Sequence, residues 1–158
     1  MTYYYQVFGL TCASEIELPA LLTLDNPTKI DFEVKLTDKL PEFEKVPNVV
    51  KPFSSFNERE FLYDFPEVAG YFVRNGEEIL VKPHCIDWDS ILLFFYSNAL
   101  AAILFQRNLI PFHVSGVLDA NGNAWLFPHP HGRASRPQLL CYKIWAIAYL
   151  QMIPVFCR

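Results

Sequence analysis

Residues 29–36 alternate without a break: Ile30, Phe32, Val34 and Leu36 fall on one side, Lys29, Asp31, Glu33 and Lys35 on the other. A period of two over eight residues predicts a strand with one buried face. Residues 2–8, rich in tyrosine, and residues 60–65 read as further strands. Residues 71–74 and 78–81 are apolar runs flanking Asn75-Gly76, a pair that tolerates positive φ at both positions and so predicts a tight type I′ hairpin.

The pattern then changes. Asp87, Asp89 and Ser90 supply capping acceptors before residues 91–107, a long apolar stretch ending in Arg107, which is the polarity of a helix at both ends. Its length falls short of the ~20 residues of a membrane span, and Ser97-Asn98 interrupts it, so a buried core helix is the expectation. Pro111–Leu118 and residues 124–127 follow as two strands around Asn121-Gly122, a second hairpin signal. Strands in series, then one long helix, then strands again predict an α+β fold: an amino-terminal mixed or antiparallel sheet with one long packed helix.

Composition narrows the class. With 158 residues, 52% hydrophobic and 16% aromatic, the chain supports one domain with a substantial core and is not of disordered type. A net charge of −4 offers no basic footprint for nucleic acid or an anionic membrane, so neither is expected as a partner. The first ten residues lack a basic region followed by an apolar one, which leads us to expect a cytoplasmic protein. Cys12, Cys85, Cys141 and Cys157 lack the close pairing of metal or redox motifs and are expected as reduced thiols.

Charge is unevenly placed. Every acidic residue lies at or before Asp119, so residues 1–127 carry nine basic against 17 acidic side chains, whereas residues 128–158 carry four basic residues and none acidic. The composition breaks at Pro128.

The stretch YQVFGLTCASEIELP (residues 5–19), the long helix, NLIPFHVSGVLD (108–119) and NGNAWLF (121–127) together resemble the HPr-kinase-like group of P-loop proteins. The resemblance covers residues 1–127. It implies residues 1–107 as an amino-terminal α+β region, 108–127 as the first strands of an incomplete kinase domain, and 128–158 as an aberrant tail. It also implies ATP and Mg²⁺ for intact relatives and phosphoryl transfer to a serine of a protein or peptide. His113 stands where that family has the His preceding its Walker loop, so the resemblance implies an acid/base or phosphate-contacting role for it.

In that family the strand matching 124–127 leads directly into a glycine-rich Walker loop. Here the chain reads PHPHGRASRP (128–137). Phosphates are held by successive backbone N–H groups, a lysine and a Ser/Thr hydroxyl on Mg²⁺. Pro128, Pro130 and Pro137 have no N–H to give. The chain as written is therefore expected to bind no cofactor and to be inactive.

The genetic code offers a reason. When the last base of each codon is joined to the first two of the next, residues 127–132 can encode Ser-Ala-Pro-Ser-Arg and residues 132–138 can encode Ala-Gly-Lys-Ser-Thr-Thr. Further on the overlaps are forced: Cys141-Tyr142 gives Leu, Tyr142-Lys143 gives Gln or stop, Trp145-Ala146 gives Gly and Met152-Ile153 gives Asp. The shifted text can read Leu-Gln-Asn-Leu-Gly-Tyr-Ser-Leu-Phe-Thr-Asp-Asp, which resembles the family's continuation. The tail thus reads as out of frame.

Other residues have plainer readings. His129, His131 and Cys141 could gather a metal but match no ligand spacing, so no metal site is expected. His84-Cys85 reads as a turn or core pair, Glu77-Glu78 as a solvated hairpin and Asp87 with Asp89 as a helix start. Residues 139–156, apolar on every side and without caps, read as an unselected, aggregation-prone tail in preference to an interfacial helix. Two rivals remain beside the kinase relative: a non-catalytic module that binds a peptide or protein, and a metal-dependent enzyme built on the His and Cys residues of the tail.

Overall fold

The computed structural model describes residues 1–118, 124–128 and 142–147. Contacts divide the chain into two compact units, Met1–Leu109 and Ile110–Arg158. The fold of the first is α+β, a large mixed sheet with one helix.

Nine strands form that sheet: β1 (Tyr3–Val7), β2 (Leu10–Ser14), β3 (Leu22–Thr23), β4 (Phe32–Leu36), β5 (Val49–Val50), β6 (Ser54–Phe56), β7 (Glu60–Phe65), β8 (Ala69–Arg74) and β9 (Glu78–Pro83). Their spatial order is β3-β1-β2-β4-β9-β8-β7-β6-β5. β4 runs parallel to both β2 and β9, and the other neighbours are antiparallel. Both outermost strands are two residues long, which leaves little open edge for another chain to extend.

The alternating segment is a strand only from Phe32. Phe32 and Val34 are fully buried as the pattern required, whereas Ile30 and Leu36 are 37% and 43% exposed. Asp31 explains the late start, because its carboxylate accepts from Thr11 N–H and pairs with Lys29 at 2.6 Å, and its carbonyl accepts from Arg107. Burial alone would raise the Asp31 carboxyl; Lys29, the Thr11 amide and Arg107 outweigh it and hold the group below its ordinary value.

Two tight turns set register. Asn75 (φ 56°) and Gly76 (φ 66°) both occupy the left-handed region, and Glu77 N–H donates to Arg74 O at 3.1 Å, as the dipeptide predicts. The turn between β1 and β2 places Phe8 (φ 53°) and Gly9 (φ 78°) in the same conformation. Phenylalanine carries no turn signal, which is why the sequence pattern does not predict β2 as a separate strand.

β8 is buried along five consecutive residues, Ala69 to Val73, so the sheet is covered on both faces there. Tyr71 and Phe72 point to opposite sides. On one side the Tyr71 hydroxyl donates to Ile91 O at 2.6 Å, which ties the sheet to the helix. On the other, Phe43 meets the Phe72 ring edge-on at 5.5 Å between centroids. Leu40 comes so close over Gly70 that an added Cβ would lie 2.4 Å from its Cδ1.

The helix runs Trp88–Gln106. Asp87 caps it, accepting from Ser90 N–H and from the Ser90 hydroxyl. At the other end Leu109 N–H donates to Leu104 O and Asn108 N–H to Phe105 O, with Asn108 at φ 60°, a Schellman closure with asparagine in the usual glycine place. By length and composition the helix could cross a membrane. Here it serves as a core helix: Ile91, Phe95, Ala99, Leu100, Ile103 and Leu104 are buried. Contrary to the uniform helix expected, its middle turn Phe95–Ala99 is π-helical.

The described residues of the second unit form a three-stranded antiparallel sheet in the order β11 (Ala124–Pro128), β10 (Pro111–Leu118), β12 (Tyr142–Ile147). β10 and β11 pair from Val114↔Pro128 to Leu118↔Ala124, the hairpin expected around Asn121-Gly122, though that turn itself lies outside the described residues. Within the stretch read as an unselected apolar tail, residues 142–147 form β12. The β-favouring residue types Tyr142, Ile144, Trp145 and Ile147 suit a strand.

Candidate functional site

A concavity of the first unit arises where the helix changes geometry. One residue too many in the middle turn puts Ser97 and Asn98 where their side chains satisfy loosened carbonyls: Ser97 Oγ donates to Leu93 O at 2.8 Å, and Asn98 Nδ2 to Phe94 O at 3.2 Å. Both residues line a groove of about 570 Å³ between the helix and the β6–β7 turn. Phe56, Phe61, Ala101, Ala102 and Phe105 form its apolar wall, and Asn57, Glu58 and Gln106 stand at its polar positions. Phe105 is 59% exposed there, beside the small Ala101.

Such a lining can receive an apolar side chain and hydrogen-bond a neighbouring amide. It has no means of holding a triphosphate, since Glu58 is the one ionisable residue on it and carries the wrong sign. Sequence reading passed over this groove, although a signal existed: residues 91–105 carry no charge, and a surface helix ordinarily shows a charged stripe.

A second feature is a closed carboxylate. Glu60 is 5% exposed, and its oxygens accept from Glu44 N–H at 2.9 Å, Asn57 Nδ2 at 2.8 Å and Lys45 N–H at 3.4 Å. Burial alone would raise its carboxyl; those donors and Arg74 outweigh it and hold the group below the ordinary glutamate value. Every oxygen is thus engaged in holding the loop over β7, which makes Glu60 a structural anchor and not an acid or base.

The residues singled out from sequence are dispersed. His113 lies on β10, paired in register with Trp145 of β12, in the second unit. His129, His131, Cys141 and Cys157 lie outside the described residues, as does the segment that stands in place of the Walker loop after Pro128. His84 Nε2 lies 2.7 Å from Asp64 Oδ1, joining the end of β9 to β7 across Gly70. Glu78 pairs with Arg74 and Lys35, and Asp87 is the helix cap. Cys12 is fully buried, and burial pushes its thiol up to about 12; Cys85 is half-buried. Among the described residues no three His, Cys, Asp or Glu side chains gather as a metal site.

The chain matches no family model, no curated protein and no solved structure.

Proposed function

We propose that residues 1–127 belong to an HPr-kinase-like serine kinase and that the chain leaves that kinase's reading frame at the Phe127 and Pro128 codons. The observation that carries this reading is the overlapping text: codons for PHPHGRASRP and the residues after it can encode, one base out of step, a Walker loop and its continuation to paired aspartates, with Leu, Gly and Asp forced at three of the later overlaps. That text begins on the third base of the Phe127 codon. One base restored to the pyrimidine run there returns the whole tail to it.

So restored, the protein transfers the γ-phosphoryl group of ATP, with Mg²⁺, to a serine hydroxyl of a protein or peptide, and His113 contacts the phosphates or moves the acceptor proton. The restored loop supplies what the prolines forfeit, namely main-chain donors, a lysine and a hydroxyl for the metal. As written, the chain is an inactive relative. Its acidic balance supports a protein with neither nucleic acid nor an anionic membrane as partner.

Sequencing the coding DNA is the direct test, followed by calorimetry with ATP and Mg²⁺ on the chain before and after one base is restored. Binding is expected only after restoration. An unshifted gene without the Walker text, or tight Mg²⁺-dependent ATP binding by the chain as written, sinks the proposal.

A second reading is favoured by the groove: the first unit acts as a non-catalytic module that binds a peptide or protein. Peptide binding that survives in the chain as written, and that Ala101→Glu abolishes, supports it.

A further inference from the structure

An asparagine followed by glycine carries both partners of a cyclisation. The glycine nitrogen attacks the asparagine Cγ, a C–N bond forms, the bond from Cγ to the side-chain NH₂ breaks, and the amide proton departs with that group as ammonia. Water then opens the succinimide at either carbonyl to give aspartate or isoaspartate. Glycine hastens the step because no side chain shields its nitrogen. Asn75 is exposed and Gly76 follows it, so the hairpin turn carries the full chemistry.

The surroundings oppose it. Gly76 N–H donates to Gln106 Oε1 at 2.7 Å, and Gln106 is itself oriented because its Nε2 donates to Val73 O at 3.2 Å. Arg107 Nε donates to Gly76 O at 2.5 Å, and Asn75 N–H donates to Arg59 O at 2.8 Å. The nucleophilic nitrogen is thus held by its own hydrogen, and both residues are fixed at positive φ. A succinimide nitrogen bears no hydrogen. The Gln106 bond must therefore break before the ring can close.

We propose that Asn75-Gly76 is a deamidation site guarded by Gln106, the last residue of the helix, so that the modification occurs only when the helix end lets go of the hairpin. The product would matter. A carboxylate at position 75 joins Glu44, Glu58 and Glu60, with Lys45 and Arg59 beside them, in the lining of one pocket, and isoaspartate adds a backbone atom inside a turn that fixes register.

Peptide mapping by mass spectrometry, on the full chain in mildly alkaline buffer, follows conversion at Asn75 in the folded protein and in guanidinium. The folded chain is expected to react slower by an order of magnitude or more, because reaction waits on local opening. Gln106→Met should speed the folded rate roughly three- to tenfold, the equivalent of one hydrogen bond. Gln106→Glu keeps an acceptor oxygen for Gly76 N–H but loses the bond to Val73 O, and should fall between the native and Gln106→Met rates. Equal rates in folded and unfolded chain, or a Gln106→Glu rate matching Gln106→Met, overturn the proposal. Should Gln106→Met fail to fold, hydrogen exchange at the Gly76 amide of the native chain decides, and an unprotected amide refutes the guard.

Discussion

Glu60→Ala removes an anchor whose worth can be worked out from its partners. Two donors at 2.8 and 2.9 Å and one at 3.4 Å meet a carboxylate that is almost wholly buried. A hydrogen bond to a charged group contributes about 1.5–3 kcal/mol, and orphaning its partner adds to the loss. Glu44 and Lys45 lie at the surface, where water can replace the lost acceptor, so the two short bonds and the long one together stand for ~2–3 kcal/mol. Glu60→Gln keeps an oxygen for Glu44 N–H and loses the charge, which should cost ~1 kcal/mol.

The folded carboxyl is depressed below its ordinary 4.5. Its contribution is therefore fully present above that value and is lost as pH falls from it through the lower folded value. Urea denaturation of the native chain, Glu60→Ala and Glu60→Gln at about pH 7 and about pH 3 measures both effects. The native protein should lose its advantage over Glu60→Gln as pH drops. A gap between them that stays constant across that range, or a cost for Glu60→Ala under ~0.5 kcal/mol, refutes the anchor.

Tyr71→Phe deletes the hydroxyl that reaches Ile91 O, yet that carbonyl still accepts from Phe95 N–H, so only ~1 kcal/mol should be lost in thermal or chemical unfolding. Asn108→Val, which forces a β-branched residue into φ 60°, should cost ~1–2 kcal/mol, while Asn108→Gly should be neutral or stabilising. Alkylation in mildly alkaline buffer should spare Cys12 in the folded protein, because its thiol is buried and pushed up to about 12, and should reach it once the chain is unfolded.

Local chemistry along the chain decided a good deal. The Asn75-Gly76 turn, the β7 limits at Glu60–Phe65, the Asp87 cap and the buried face of Phe32 and Val34 are all set by residue types acting over a few positions, and the fold returns each of them. The break in charge at Pro128 is likewise a property of the string alone.

Tertiary structure decided the features that depend on distant partners. Ile30 and Leu36 continue the alternation yet stay exposed: Ile30 precedes the strand, where Asp31 is drawn to Thr11, Lys29 and Arg107, and Leu36 lies past the last β2 pairing at Ser14↔Val34. β4 lies parallel between β2 and β9, a pairing across more than forty residues on one side that no local period encodes. The same holds for the groove and for the Gln106 guard, each of which joins a helix residue to a turn some thirty or more positions away. A period reports which face a residue prefers; only packing determines what meets that face.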